Sequence, residues 1–324
     1  MAGRMTRRGM MLGAAAIPLA APALAQGFPN RPLRIVIGFP PGGGIDILAR
    51  LMAPHMGARL GQAVVVENRP GANGLVATQA VAGGEADGHI LFFGTTGNLA
   101  VNPVLYPTMP VDVLRDLAPL SHVASLAFVM VVNPEVPART LAEFIALAKS
   151  QPGRLNFASS GNGGLPHLSG ELLNGAAGIS TVHVPYRGSA PAFTDVIAGQ
   201  CQFMFDALAI AQPHIASGRV RALATTGPGR LAALPDLPVA KDTVPGFEVV
   251  NWYGMSLRAG TPPAIVSRLH AEVVAALAVP EVAARAADLG LDLVGSSPDA
   301  FATFQRAEIA RWGEVVRRAN ITAS

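Results

Sequence analysis

The sequence predicts an α/β protein built as two lobes with a cleft between them. Short β-branched runs alternate with stretches of helical spacing, which argues for largely parallel sheets. The order strand, glycine loop, helix occurs twice, at residues 33–56 and 155–173, so each lobe offers one helix N-terminus to a shared crevice. A late apolar run at residues 249–257 is positioned to carry the chain back from the second lobe to the first. With 324 residues, 50% of them hydrophobic, there is material for two medium-sized cores.

The N-terminus has the pattern of an export signal. Arg4, Arg7 and Arg8 precede an apolar run at 10–21, and Ala23-Leu24-Ala25 supplies a small-x-small cleavage site. Residues 1–25 are therefore expected to be removed. The apolar run is too short to span a bilayer, and Thr6-Arg7-Arg8 is compatible with twin-arginine as well as general export. Those residues hold three arginines and no acid, so the formal charge of +3 falls to zero without them. A neutral mature chain lacks the electrostatic footprint of a nucleic-acid or membrane binder. Cys201 is the only cysteine, which excludes an internal disulfide, and it reads as a small buried hydrophobe. These features predict a soluble protein free in the periplasm or secreted.

Leu33 to Gly38 reads as a buried strand, and the loop Phe39-Pro40-Pro41-Gly42-Gly43-Gly44 leads from it into a helix through Asp46, Leu48, Met52 and Met56. Glycines let backbone amides approach a ligand closely, and the helix N-terminus adds roughly half a positive charge, a geometry that suits a carboxylate. The same loop equally serves as a plain connection. Pro54 is expected to kink or break the helix near Arg50, at about 3 kcal/mol. A strand at 63–67, the turn-rich segment 68–74, a helix at 75–81 and a strand at 90–94 follow. Thr95 to Asn98 then stands at the carboxyl end of that strand, where open α/β sheets bind ligands.

The second lobe opens with a strand at 128–132 and a helix whose Thr140-x-x-Glu143 forms a capping box. The strand 155–159 leads into the loop from Ser160 to His167 and another helix. A strand at 182–185, a helix at 191–199 and strands at 201–205 and 220–225 continue it. A proline-spaced connection, 234–245, leads out. Thr261-Pro262 reads as a cap followed by a first-turn proline, and a last helix starts at Ser297-Pro298 and packs Phe301, Phe304 and Trp312 inward. Both chain ends then belong to the first lobe, taken as 26–124 plus 248–324, with the second at 125–247 and a hinge near Ser125 and Val249.

Phe39-Pro-Pro-Gly-Gly-Gly-x-Asp46, Val65-Val-Glu-Asn-Arg-Pro-Gly-Ala72, Ser159-Ser-Gly-x-Gly163 with His167-Leu168, His183-Val-Pro-Tyr-Arg-Gly188, Arg221-Ala-Leu-Ala224 and Trp252-Tyr-Gly254 occur in that order. The chain thereby resembles the Bug-type extracytoplasmic solute receptors of tripartite tricarboxylate transporters over essentially its whole mature length. The resemblance implies a type II periplasmic binding-protein fold, no catalysis, no cofactor or metal, and a monomer. It also implies a small organic acid as ligand and a membrane permease as partner. It makes Phe39, Pro40, Gly42, Gly43, Gly44 and Asp46 the first jaw and Ser159, Ser160, Gly161, Asn162, Gly163 and His167 the second. Thr95 and Asn98 would line one side, Tyr186 and Asp206 the other. Gly164 stands where relatives often carry a hydroxyl.

Several of these residues have two readings. Asp46 either meets a cationic ligand group or complements the helix start. His167 either donates to a ligand or satisfies nearby backbone, Tyr186-Arg187 either serves the ligand or the lobe surface, and Asp206 either binds a ligand hydroxyl or amine or caps the next helix. Trp252 reads as packing where the chain crosses between lobes. Ser159, His167 and Asp206 also invite a secreted hydrolase, but Gly-x-Ser-x-Gly is absent. Pro166 stands where a dinucleotide fingerprint needs its third glycine, and no Walker lysine or His-Glu-x-x-His occurs. A receptor that signals rather than transports fits the same residues.

Overall fold

The computed structural model describes residues 27–106, 108–318 and 321–322; the expected signal peptide lies outside them. The first lobe begins with β1 (Leu33–Ile37), α1 (Gly44–Leu60), β2 (Val64–Asn68), a 3-10 turn at Ala72–Gly74, α2 (Leu75–Ala82) and β3 (Ile90–Thr95). A π-helical turn at Gly97–Val101, α3 (Asn102–Leu105) and β4 (Leu117–Val132) follow. The second lobe comprises α4 (Leu141–Ser150), β5 (Asn156–Ser159), α5 (Leu165–Ala177), β6 (Val182–Pro185), α6 (Ser189–Ile197), β7 (Phe203–Ala207), α7 (Leu208–Ala216), β8 (Arg221–Thr225) and α8 (Ala240–Thr243). The chain returns through β9 (Val250–Arg258) and closes with α9 (Pro263–Leu277), α10 (Pro280–Asp288), β10 (Asp292–Leu293) and α11 (Pro298–Arg318).

In the first lobe β1 lies between β2 and β3, parallel to both, with Ile35 opposite Val66 and Leu91. Leu33, Ile35, Val36 and Ile37 are all buried, as expected for a central strand apolar on both faces. In the second lobe β5 runs parallel to β6 and β7, with Phe157 opposite His183 and Phe203. One strand joins the two sheets. From Leu117 to Ala127, β4 is antiparallel to β9, while Phe128 to Val132 pairs with β7 and β8. Only this second half was expected from sequence, because polar Ser121, His122 and Ser125 interrupt the apolar pattern of the first.

Three local details differ from the expectations. Pro54 does not break α1, which runs through it to Leu60. Pro54 and Arg50, whose carbonyl loses its usual donor, both face solvent, while Met52, Ala53 and Met56 hold the opposite face in the core. Water can serve the freed carbonyl there, whereas a buried one would remain unpaired. At α9 the cap is Pro262 rather than Thr261, whose hydroxyl instead donates to the Arg258 carbonyl. Thr140 caps α4 as expected, accepting from the Glu143 amide at 3.1 Å. The reciprocal bond to Glu143, however, comes from the Arg139 amide, one residue earlier than a capping box places it.

Where the chain passes between lobes, Thr226 clasps both crossing strands. Its amide donates to the Phe128 carbonyl and its hydroxyl accepts from the Phe128 amide at 2.9 Å. The same hydroxyl donates to the Val249 carbonyl at 2.7 Å, and the Val249 amide donates to the Thr226 carbonyl. Nearby, Trp252 packs against His122, Phe301 and Phe304, and its indole shares the Glu308 carboxylate with that of Trp312, pinning β9 to α11.

Candidate ligand cleft

The first jaw is the turn from β1 into α1. Gly42 sits at φ +92°, a conformation that side-chain-bearing residues rarely adopt. Its amide donates to Asp46 Oδ2 at 3.0 Å. The Asp46 carboxylate also receives Arg50 Nε and Asn68 Nδ2, the latter at 2.9 Å, while Asn68 ties the Phe39 carbonyl. Burial pushes the Asp46 pKa up, but Arg50, the Gly42 amide and Asn68 outweigh it, and the carboxyl lies below the ordinary carboxylate range. Asp46 thus shapes the loop, and the Gly42 amide, engaged by it, is withdrawn from any ligand. Among the described residues no acceptor bonds the amides of Gly43, Gly44 or Ile45, the unpaired donors of the helix start. No described atom lies within 4 Å of a Cβ built on Gly43, so the loop is open at that point.

The second jaw runs from β5 into α5. Its glycine amides are mostly engaged within the loop, contrary to a row of free donors. The Gly161 amide donates to Ser159 Oγ at 3.2 Å, that of Gly163 to His167 Nδ1 at 3.1 Å, and that of Gly164 to the Gly161 carbonyl at 3.4 Å. Sequence cannot reveal this, since it depends on where Ser159 and His167 point. Of the loop, Ser160, Gly161, Asn162 and Gly164 are half-buried and Gly163 is buried. The imidazoles of His167 and His183 stack at 3.8 Å. Burial lowers the first to about 4, and burial together with its neighbour lowers the second to about 3, so both are neutral near pH 7. His167 therefore satisfies the loop and brings no charge to the cleft.

The jaws meet. Asn73, in the left-handed region at φ 49°, donates from Nδ2 to Asn102 Oδ1 at 2.9 Å and to the Gly163 carbonyl at 3.3 Å across the cleft. A Cβ on Gly163 would collide with Leu105 of the first lobe. Asn98 is buried, its amide engaged with the Asn73 carbonyl and the Thr95 amide, so it positions the Asn73 turn. Thr95 is also buried beside it. Gly38 lets the Gly74 backbone approach to 2.5 Å of where a Cβ would lie, locking this turn against the first jaw. Pro40 is exposed and Phe39 half-buried.

Tyr186 faces into its own lobe, with its hydroxyl donating to Asp195 Oδ2 at 2.6 Å and touching Cys201 Sγ at 3.5 Å. Asp206 does not cap α7: that helix starts after Ala207 without a side-chain acceptor, and Asp206 Oδ1 accepts the neighbouring Ala207 amide at 2.7 Å, with the Ser189 hydroxyl as its other hydrogen-bonding neighbour. Two residues of the site escaped the sequence reading. Asn73 lay within a stretch notable only for its turns. Tyr253 was masked by Trp252, although strand alternation sends the two to opposite faces. The Tyr253 hydroxyl stands 2.9 Å from where a Cβ on Gly44 would be.

Ser159 Oγ lies 2.6 Å from His183 Nε2, a pairing that resembles a nucleophile and base. Yet Ser159 is fully buried and its hydroxyl also bonds both the amide and the carbonyl of Gly161, so the oxygen is held inside the loop. Among the described residues no cluster of His, Cys, Asp or Glu is placed to hold a metal ion, and no helix is long and apolar enough to cross a membrane. A furrow of about 800 Å³ along α1 and the edge strand β2 touches neither jaw.

Comparison with known proteins agrees with this architecture. BugT of Bordetella pertussis is 36% identical over 301 residues, 92% of each chain. A Rhodopseudomonas palustris protein solved with bound malate, MatC, superimposes with a TM-score of 0.83 at 32% identity, covering 89% of this chain and all of the other. An R. palustris protein solved with adipate gives 0.86 at 34% identity, covering 91% and 99%. Residues 48–321 match the model of the tripartite tricarboxylate transporter family receptor. With jaws, crossing strands and whole-length similarity in agreement, the chain belongs to the tripartite tricarboxylate transporter receptor family, the two-lobed solute-binding proteins of those transporters.

Proposed function

We propose that this protein captures a small organic carboxylate in the periplasm and hands it to the membrane permease of a tripartite tricarboxylate-type transporter. The observation that carries the reading is the unpaired helix start at Gly43, Gly44 and Ile45, held open by Asp46. Three amides at the positive end of a 17-residue helix suit a carboxylate without any lysine or arginine. The lobes at 26–124 plus 248–324 and at 125–247 close about the crossing strands near Ser125 and Val249, and the ligand favours the closed state because only there are both jaws engaged. Ser160, Gly161, Asn162, Gly163 and Gly164 form the far wall of the site, and His167, Asn98 and Tyr186 hold its shape. The similar proteins solved with malate and adipate support an organic acid as the ligand class.

A thermal-shift screen against di- and tricarboxylates, aromatic acids and amino acids tests the reading. An acid present at about a hundred times its dissociation constant stabilises the protein by roughly 2.7 kcal/mol; a flat response to every class refutes it. Ester turnover that disappears in Ser159→Ala would replace the receptor with a hydrolase. Crosslinking to a sensor kinase in place of a permease would redirect its output to signalling.

A further inference from the structure

We propose that the furrow between α1 and β2 is a docking site for an extended, acidic segment of a partner protein, which joins the sheet as an added strand at the edge of β2. The furrow lies outside the jaws and is independent of the receptor reading. β2 is the last strand on its side of the sheet. The Leu33 amide donates to the Ala63 carbonyl and the Arg69 amide to that of Ile37. In a parallel ladder that phase turns residues 63, 65, 67 and 69 towards β1, and the amides and carbonyls of Val64, Val66 and Asn68 outward. Among the described residues nothing bonds them. Edge strands are usually guarded by lysine, proline or a bulge. The five residues of β2 carry none of these, pair with β1 without a register shift, and leave Val65 50% exposed.

The floor and rim fix what can lie there. Ala53, Pro54 and Ala58 of α1 keep its flank low beside Val64 and Val66, which leaves a trough of about 800 Å³. Pro54 has no amide to offer the Arg50 carbonyl, so a further acceptor stands free in the trough. Arg50 is the only charged residue lining it. Its side chain is 49% exposed and that of its partner Asp46 only 3%, so the charge turned outward is positive. On the opposite face of β2, Arg34 and Arg69 share the single carboxylate of Glu67. A strand laid along β2 therefore meets outward backbone groups, valines on the α1 face and outward cations on both faces. Apolar side chains alternating with acidic ones suit that surface. A second copy of the chain would bring the same cationic rim against itself. An anionic lipid surface would use the arginines but neither the strand edge nor the apolar floor.

Fluorescence anisotropy with labelled peptides of about seven residues, capped at both ends, tests this. One alternates valine with glutamate, a second has lysine in place of glutamate, and a third has the composition of the first without its alternation. The alternating acidic peptide is expected to bind with a dissociation constant of about a millimolar or less, about tenfold or more tighter than the other two. Val66→Pro removes an outward amide and spares every bond to β1, while Ala58→Phe fills the trough from an exposed helix position. Each should weaken binding about tenfold or more. Equal binding of the lysine or unpatterned peptide, binding of none, or unchanged affinity in either folded variant overturns the inference. Where the acidic peptide fails, phosphatidylglycerol vesicles that bind make the face a membrane contact, and a dimer lost in Val66→Pro makes it a self-interface. If Val66→Pro does not fold, Ala58→Phe decides. The acid screen on the jaws is read separately and bears on the receptor reading alone.

Discussion

Replacing Asp206 by asparagine should change how stability depends on pH, by an amount the structure sets. Burial raises its carboxyl from 3.8 to about 6. A group whose folded pKa lies above its unfolded value favours the native state at low pH, and that contribution is lost as pH rises through the folded value. The window is therefore about pH 4 to 6, and a shift of roughly two units corresponds to a ceiling of about 3 kcal/mol. His167 and His183 act in the opposite direction over an overlapping range. Their folded values, about 4 and about 3, lie below 6.5, so their contribution is present above that pH and lost on acidification. The natural protein mixes these terms, but both histidines and Asp46 remain in the variant, and the difference between the two proteins isolates Asp206. Urea unfolding from pH 4 to pH 7.5 should show the asparagine variant gaining about 3 kcal/mol relative to the natural chain, with equal m-values. A difference constant to within about 1 kcal/mol would mean that burial does not raise the Asp206 carboxyl, and the reasoning would fail.

Gly43→Val should fold normally, since its φ of −77° suits any residue and a Cβ meets nothing within 4 Å. By screening two charge-engaged amides, it should weaken acid binding about a hundredfold by calorimetry. Thr226→Val removes the hydroxyl that serves both crossing strands and leaves the buried Phe128 amide unpaired; a loss of about 1–3 kcal/mol in denaturant unfolding is expected. Asn73→Ala deletes the bond to the Gly163 carbonyl across the cleft. Scattering should find the ligand-free protein more open, and affinity should fall by up to about tenfold, a bond of about 1 kcal/mol; an unchanged open–closed balance would deny Asn73 a part in closure.

Much of the architecture could be read directly. Leu33, Ile35, Val36 and Ile37 are buried because helices cover both sheet faces, and the two glycine turns lie at strand ends, so alternating segments and punctuation revealed the α/β fold and the order of its elements. Legibility failed where the outcome depended on partners far away in the chain. The first half of β4 carries Ser121, His122 and Ser125, whose polar groups are matched by Ser296 and by one another. Its strand character comes from pairing with β9, more than a hundred residues later. Pro54 reads as a breaker in any local window and is tolerated only because its side of α1 faces water.

The same division runs through the site. Sequence alone determined that glycines, a helix start and an acid four residues beyond Gly42 occur together, because backbone permissiveness and helix polarity are local properties. Which amides remain available, that His167 and His183 stack as neutral rings, that Asn73 reaches Gly163, and that Asp206 is buried beside Ser189 were decided only by the tertiary structure. Hydrogen-bond supply and desolvation at each of these atoms are set by groups from other strands and from the opposite lobe, which come within range only when the chain has folded.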